Sequence, residues 1–122
     1  MATVRYIVGD VTRAVAFYRD RLGFTVVQEM LPAFARVRRD HLTLWLSGPA
    51  SSASRPMPDG RRPEPGGWTR FVIEVDDLAT LVADLRAGGA TFRNDVVSGP
   101  GGKQILLEDP DGNPIELFEA RV

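Results

Sequence analysis

The chain has 122 residues, 15 basic and 16 acidic side chains, one histidine, no cysteine and a formal net charge of −1. That length suits a single domain with a real core, and the lack of cysteine excludes disulfide frameworks, thiolate metal sites and thiol nucleophiles. Interspersed charges exclude a field that would gather nucleic acid, and no apolar run approaches the ~18 residues that span a bilayer.

Residues 1–10 carry neither a basic n-region nor a long apolar stretch, so the cytoplasm is the expected compartment. Thr3–Gly9 alternates as a short strand. Asp10 is placed to cap a helix whose apolar face is Val11, Ala14, Val15, Tyr18 and Leu22, closed by Gly23. Phe24–Met30 and Phe34–Arg38 follow as strands separated at Leu31-Pro32. Leu42, Leu44 and Leu46 then alternate with His41, Thr43, Trp45 and Ser47. Residues 1–48 therefore spell βαβββ.

From Pro49 to Gly67 the composition turns to Pro, Gly, Ser and Arg with no apolar period, the pattern of a linker or a flap. The earlier pattern then returns over residues 68–122. Phe71, Ile73 and Val75 alternate, Asp77 caps, and Leu78, Leu81, Val82 and Leu85 make a helical face before Gly88-Gly89. Val8, Asp10, Val11, Ala14, Val15 and Tyr18 stand 67 positions before Val75, Asp77, Leu78, Leu81, Val82 and Leu85, so cap and apolar face repeat together. A short strand near Ala90–Phe92, the strand Gln104–Leu107, a turn at Asp109-Pro-Asp-Gly-Asn113 and the strand Ile115–Glu119 complete a second βαβββ unit.

The expected fold class is α+β, two βαβββ units whose mixed sheets enclose a cavity, because one unit of roughly fifty residues buries too little to stand alone. Strand alternation sends Val4, Tyr6 and Val8 under the first helix and Phe71, Ile73 and Val75 under the second. Thr3, Arg5, Ile7, Arg70, Val72, Glu74, Glu116 and Phe118 then face the cavity, joined by Thr43 and Trp45 if the leucines of that strand pack on the helix side.

The strings Tyr6-Ile-Val-Gly-Asp-Val-Thr-Arg-Ala-Val-Ala-Phe-Tyr-Arg-Asp-Arg-Leu-Gly-Phe24 and Glu108-Asp-Pro-Asp-Gly-Asn-Pro-Ile-Glu-Leu117 resemble the two halves of the vicinal oxygen chelate superfamily, the glyoxalase, bleomycin-resistance and dioxygenase group. The resemblance covers nearly all of the chain outside the linker. It implies the fold named above and a homodimer, but not one reaction, since the superfamily holds lyases, isomerases, transferases, dioxygenases and antibiotic-binding proteins. It also implies where a metal would be held: by a residue seven before the Asp that ends each first strand, and by a carboxylate in the last strand of each unit. Those places hold Thr3, Arg70 and Glu116, and in the first half the position falls at Thr43 and Leu44, with no carboxylate. Arg70 has no lone pair to give a cation, so no metal or other cofactor is expected, and Arg70 and Glu116 are expected to form an ion pair.

The leading expectation is a metal-independent protein that binds a small, partly aromatic molecule, an antibiotic or a metabolite. Phe34, Trp45, Trp68 and Phe118 are candidates to stack on it, with ordinary packing as the alternative, and Arg5, Arg70, Gln104 and Glu116 are candidates for polar contacts. The rival is a lyase, isomerase or transferase that uses Glu116 as its catalytic group, with or without a divalent metal. Arg36 and Glu74 read equally as a solvated sheet edge, His41 as a solvated turn residue, and Gly99-Pro-Gly-Gly102 as a turn rather than a phosphate cradle.

Overall fold

The computed structural model describes residues 1–121 as two compact units, Met1–Gly66 and a second that begins at Gly67. In the first, β1 (Ala2–Ile7), α1 (Val11–Leu22), β2 (Thr25–Met30), β3 (Phe34–Arg39) and β4 (Leu42–Ser47) form a four-stranded mixed sheet in the order β1-β4-β3-β2, with one helix on one face. β1 runs parallel to β4, and the other pairs are antiparallel. The helix starts where the sequence says it should: Asp10 Oδ1 accepts a hydrogen bond from the Arg13 amide at 3.0 Å, satisfying one of the donors that a helix start leaves open. It stops at Gly23, whose φ of 72° is the left-handed conformation that a side chain resists, and the Phe24 amide returns to the Tyr18 carbonyl at 3.0 Å.

Val11, Ala14, Val15, Tyr18 and Leu22 of α1 are all buried, as are Ala35, Val37, Leu44 and Leu46 of the sheet. Each fully buried aliphatic side chain among them contributes roughly 1.5–3 kcal/mol of transfer free energy. Alternation does the rest. With Leu44 and Leu46 turned to the helix, Thr43, Trp45 and Ser47 occupy the opposite face of β4.

The segment after β4 is built from turns. Ser51 and Ser54 hydroxyls both donate to the Gly48 carbonyl, at 2.7 and 2.8 Å, closing a single 3-10 turn at Ser52–Ser54. A cleft of about 220 Å³ opens beside it, walled by Ile7, Val8, Pro49, Pro63 and Pro65 with Arg62 at its lining.

The second unit repeats the plan with β5 (Val72–Glu74), α2 (Leu78–Ala87), β6 (Thr91–Phe92), β7 (Val97–Ser98), β8 (Gly102–Glu108) and β9 (Pro114–Ala120). Its sheet runs β5-β9-β8-β6, with β7 also paired to β8, and β5 lies parallel to β9. Leu78, Val82 and Leu85 pack inward, as do Ile73, Ile105, Leu107, Ile115 and Leu117. Asp77 caps α2 twice, accepting the Thr80 amide on Oδ1 at 3.1 Å and the Thr80 hydroxyl on Oδ2 at 2.7 Å. The Asp109-Pro-Asp-Gly-Asn113 string forms a closed turn: Asp109 Oδ1 accepts the amides of Asp111 and Asn113, and Gly112 takes a φ of 84°.

The fold is thus α+β, a βαβββ unit followed by a second that adds one two-residue strand to the same plan. Strand ends shift by one or two residues from the sequence reading, β5 covers only Val72–Glu74, and Leu81 of the expected helical face is half-buried. β1 ends at Ile7 rather than Gly9, although the Val8 amide still bonds Ser47 O at 3.0 Å. β7 was not anticipated, because two residues carry no period for a pattern to show.

Candidate functional site

On the face of the first sheet turned away from α1, three neighbouring strands bring Arg5, Trp45 and Arg36 into one row. Arg5 is paired with Trp45 across β1 and β4, and Trp45 with Arg36 across β4 and β3. The guanidinium carbons lie 5.0 Å (Arg5) and 4.8 Å (Arg36) from the centroid of the Trp45 ring. Phe34 meets Trp45 edge to face at 5.8 Å and takes Arg36 over its own ring at 5.5 Å. Each such cation–ring contact is worth roughly 0.5–1 kcal/mol at an exposed site and more when dry. Arg5 Nη1 reaches Ser47 Oγ only at 3.5 Å, the outer limit of a hydrogen bond. The Arg36 Nε is buried and has no hydrogen-bond partner among the described residues.

The same face of the second sheet carries the opposite arrangement, in which every arginine is matched. Arg70 donates to Glu116 Oε1 from Nε at 3.1 Å and from Nη2 at 2.9 Å, and from Nη1 to the Trp68 carbonyl at 3.3 Å. The two side chains are 29% and 13% exposed, so the pair is shielded from much of the screening that weakens surface ion pairs. Glu116 is held by β9 opposite Leu106 of β8, and two residues along Gln104 faces Phe118, which Glu74 flanks on the far side.

Arg93, just beyond β6, was not singled out by the sequence. It donates from Nε to Glu108 Oε2 at 2.8 Å, from Nη1 to the Gly67 carbonyl at 2.6 Å and from Nη2 to the Gly112 carbonyl at 2.8 Å. Trp68 lies against it, with the guanidinium carbon 4.6 Å from the ring centroid. No sequence signal marks Arg93, since its partners are two backbone carbonyls and a glutamate far along the chain.

Of the candidates, Arg5, Phe34 and Trp45 therefore share one sheet face, while Arg70 with Glu116 and Gln104 with Phe118 form two neighbouring pairs on the other sheet. Trp68 is 69% exposed and joins them through Arg93 and its own carbonyl. His41 stands exposed in the turn between β3 and β4, next to Asp40, which takes a φ of 53°.

The strand registers correct one position. Arg5 and Val72 are 67 residues apart, and their parallel partners are Trp45 and Glu116, so Trp45 rather than Thr43 or Leu44 stands where the first unit would offer its carboxylate. The four positions at which the resemblance places metal ligands are then Thr3, Trp45, Arg70 and Glu116. An indole has an N–H donor and no ligating lone pair, and a guanidinium has five donors and none. Among the described residues no three His, Cys, Asp or Glu side chains gather as a cation would need. Neither pair, Thr3 with Trp45 in the first unit nor Arg70 with Glu116 in the second, fits a divalent ion.

A family model described as the glyoxalase/bleomycin resistance protein/dioxygenase superfamily matches residues 1–117. The uncharacterized protein YaeR of Escherichia coli K12 is 31% identical over 121 residues, spanning 95% of this chain and 92% of the relative. Among solved structures, a lactoylglutathione lyase from Agrobacterium tumefaciens superposes with a TM-score of 0.76 at 23% identity, over 98% of this chain and 92% of that one. TnmS3, an antibiotic-binding protein from a Streptomyces species, superposes with a TM-score of 0.73 at 22% identity, over 98% and 93%. At those identities the two structures speak for the fold alone. Among the described residues no helix is long and apolar enough to cross a membrane.

Proposed function

This chain belongs to the glyoxalase/bleomycin resistance protein/dioxygenase superfamily, and from that premise we propose that it binds a small, partly aromatic organic molecule without the help of a metal ion. The observation that carries the reading is the double hydrogen bond from Arg70 to Glu116 Oε1. An arginine at a ligand position brings its own permanent positive charge to the carboxylate, so a cation would have to displace it against charge repulsion. Glu116 Oε2 has no donor among the described residues and remains an acceptor for a polar group of a ligand. Pockets that recognise such molecules combine aromatic surface with a few placed polar groups, and each unit supplies both kinds by itself: Phe34, Trp45 and Arg5 in the first, Trp68, Phe118, Arg70, Gln104 and Glu116 in the second. The likeness in fold to an antibiotic-binding protein supports antibiotics as first candidates. The homodimer implied by the family is part of the same proposal and is checked by sedimentation.

Two measurements test it. Titration of a broad panel of aromatic antibiotics and metabolites, followed by tryptophan emission, should give a saturable change with some member; silence across the panel overturns the reading. Elemental analysis of protein purified without chelator should find no stoichiometric transition metal, and near-stoichiometric Ni, Zn, Mn or Fe would overturn the metal-free part.

A further inference from the structure

The first sheet concentrates positive charge that its own groups do not neutralise. On the face opposite α1, β1 contributes Thr3, Arg5 and Ile7, and β4 contributes Thr43, Trp45 and Ser47. β3 contributes Phe34, Arg36 and Arg38, while Met30, Gln28 and Thr25 of β2 stand opposite these three in register. Three arginines and no carboxylate are present among these residues. Arg36 and Arg38 have no side-chain hydrogen bond or ion pair among the described residues, and Arg5 has only the 3.5 Å contact to Ser47. The second sheet is an internal control: there Arg70 and Arg93 each have a carboxylate, at 2.9 and 2.8 Å, and backbone carbonyls besides.

We propose that the Arg5–Trp45–Arg36 row binds the oxyanion of a small anionic molecule, a carboxylate or a phosphate. The inference rests on the ligand-binding reading above and names the chemistry of the ligand. Two guanidinia against one ring repel each other, and a buried N–H without an acceptor forfeits its hydrogen bond with water, so the arrangement is costly until an acceptor arrives. An oxyanion removes both costs at once, and the planar fork of a guanidinium matches its geometry. Trp45 acts here as a positioning residue. With Arg5 reaching it from one neighbouring strand and Arg36 from the other, its ring spaces and orients the two cations. Prior stacking also lowers the ordering cost that a loose arginine would meet on binding.

The test uses the Trp68→Phe protein, in which Trp45 is the only tryptophan, and reads its emission during titration with benzoate, the isosteric neutral benzamide, and inorganic phosphate. Benzoate or phosphate is expected to bind at least about tenfold more tightly than benzamide, and added salt should weaken only the anions. Saturation by benzoate alone assigns a carboxylate on a planar frame, and saturation by phosphate assigns a phosphate. Arg36→Gln should weaken the anion by about tenfold and leave benzamide unchanged; Arg5→Gln, on the neighbouring strand, provides the same test should Arg36→Gln fail to fold by circular dichroism. Equal affinity for benzoate and benzamide, or an anion affinity indifferent to both substitutions, overturns the oxyanion site and leaves the ligand-binding reading standing. Silence to both anions, with saturation by a neutral aromatic from the panel, has the same meaning. Silence to every compound, charged and neutral, overturns both.

Discussion

Arg93 lies with its guanidinium carbon 4.6 Å from the centroid of the Trp68 ring, and the same guanidinium ties Gly67, Gly112 and Glu108 together. One side chain thus fastens the start of the second unit to the turn that precedes β9. Its side chain is only 15% exposed, so removing it strands a carboxylate and two carbonyls in a partly dry place. Arg93→Ala is expected to cost about 2–4 kcal/mol in urea unfolding, and Arg93→Lys to recover only part of that, since an ammonium cannot hold three acceptors in one plane. Trp68→Ala, which removes a largely exposed ring, should cost no more than about 1 kcal/mol.

Arg70 and Glu116 should behave as a coupled pair. Either alanine substitution alone is expected to destabilise by about 1–2 kcal/mol, and the double substitution by less than the sum, with a coupling energy of about 1 kcal/mol or more. Denaturant unfolding of the four proteins in the cycle measures it. Simple additivity would mean that the pair is incidental.

Arg36 should show the reverse of Arg93. Among the described residues its side chain meets only rings and its Nε lacks an acceptor, so Arg36→Met is expected to change stability by less than about 1 kcal/mol or to raise it. A residue that can be removed at no cost to folding, yet whose loss weakens ligand binding, is held for the ligand. Thermal unfolding of Arg36→Met beside Arg93→Ala checks the contrast.

The Thr80 hydroxyl and amide, both donating to Asp77, hold its carboxyl below the usual aspartate range. The stabilisation from this cap is therefore fully present above the ordinary aspartate value and is lost as pH falls through the lowered folded value. Asp77→Ala should melt a few degrees below the parent at neutral pH, and the two melting curves should converge below about pH 4. A gap that persists unchanged into acid would contradict this.

Gly102 opens β8 at a φ of 152°, and a Cβ there would run into the Glu119 carbonyl of the adjacent strand. Gly102→Ala should cost about 3 kcal/mol or more, whereas Gly99→Ala, where a Cβ meets nothing within 4 Å, should be nearly neutral. Parallel urea unfolding of both variants decides it.

What the sequence made legible was whatever depends on neighbours along the chain. Asp10 and Asp77 as caps, Gly23 as a stop, and the apolar stripes of both helices follow from spacing alone, and the 67-residue offset repeats the cap and the stripe, though not the stop, since Gly23 would fall on Ala90. What stayed hidden depends on pairing between distant strands. The register of β1 on β4 decides that Trp45 is the counterpart of Glu116, and spacing had put that place at Thr43 and Leu44. Arg93 was invisible for the same reason: its acceptors lie 15, 19 and 26 residues away. The bond between Arg70 and Glu116 could be anticipated, because the repeat fixed one partner and the family string the other. The absence of any acceptor for Arg36 could not, since only the assembled sheet shows which side chains share its face.

The place of Trp45 bears on how this chain could change its chemistry. Turning either unit toward a cation would mean replacing Trp45 in the first or Arg70 in the second, and each step damages something already in use. Replacing Trp45 takes away the ring that two arginines share, and replacing Arg70 leaves Glu116 without its counter-charge. Partial sites of one or two ligands hold an ion too weakly to reward either intermediate. Selection acting one substitution at a time can thus refine what each sheet face holds more readily than it can assemble a cation site on either.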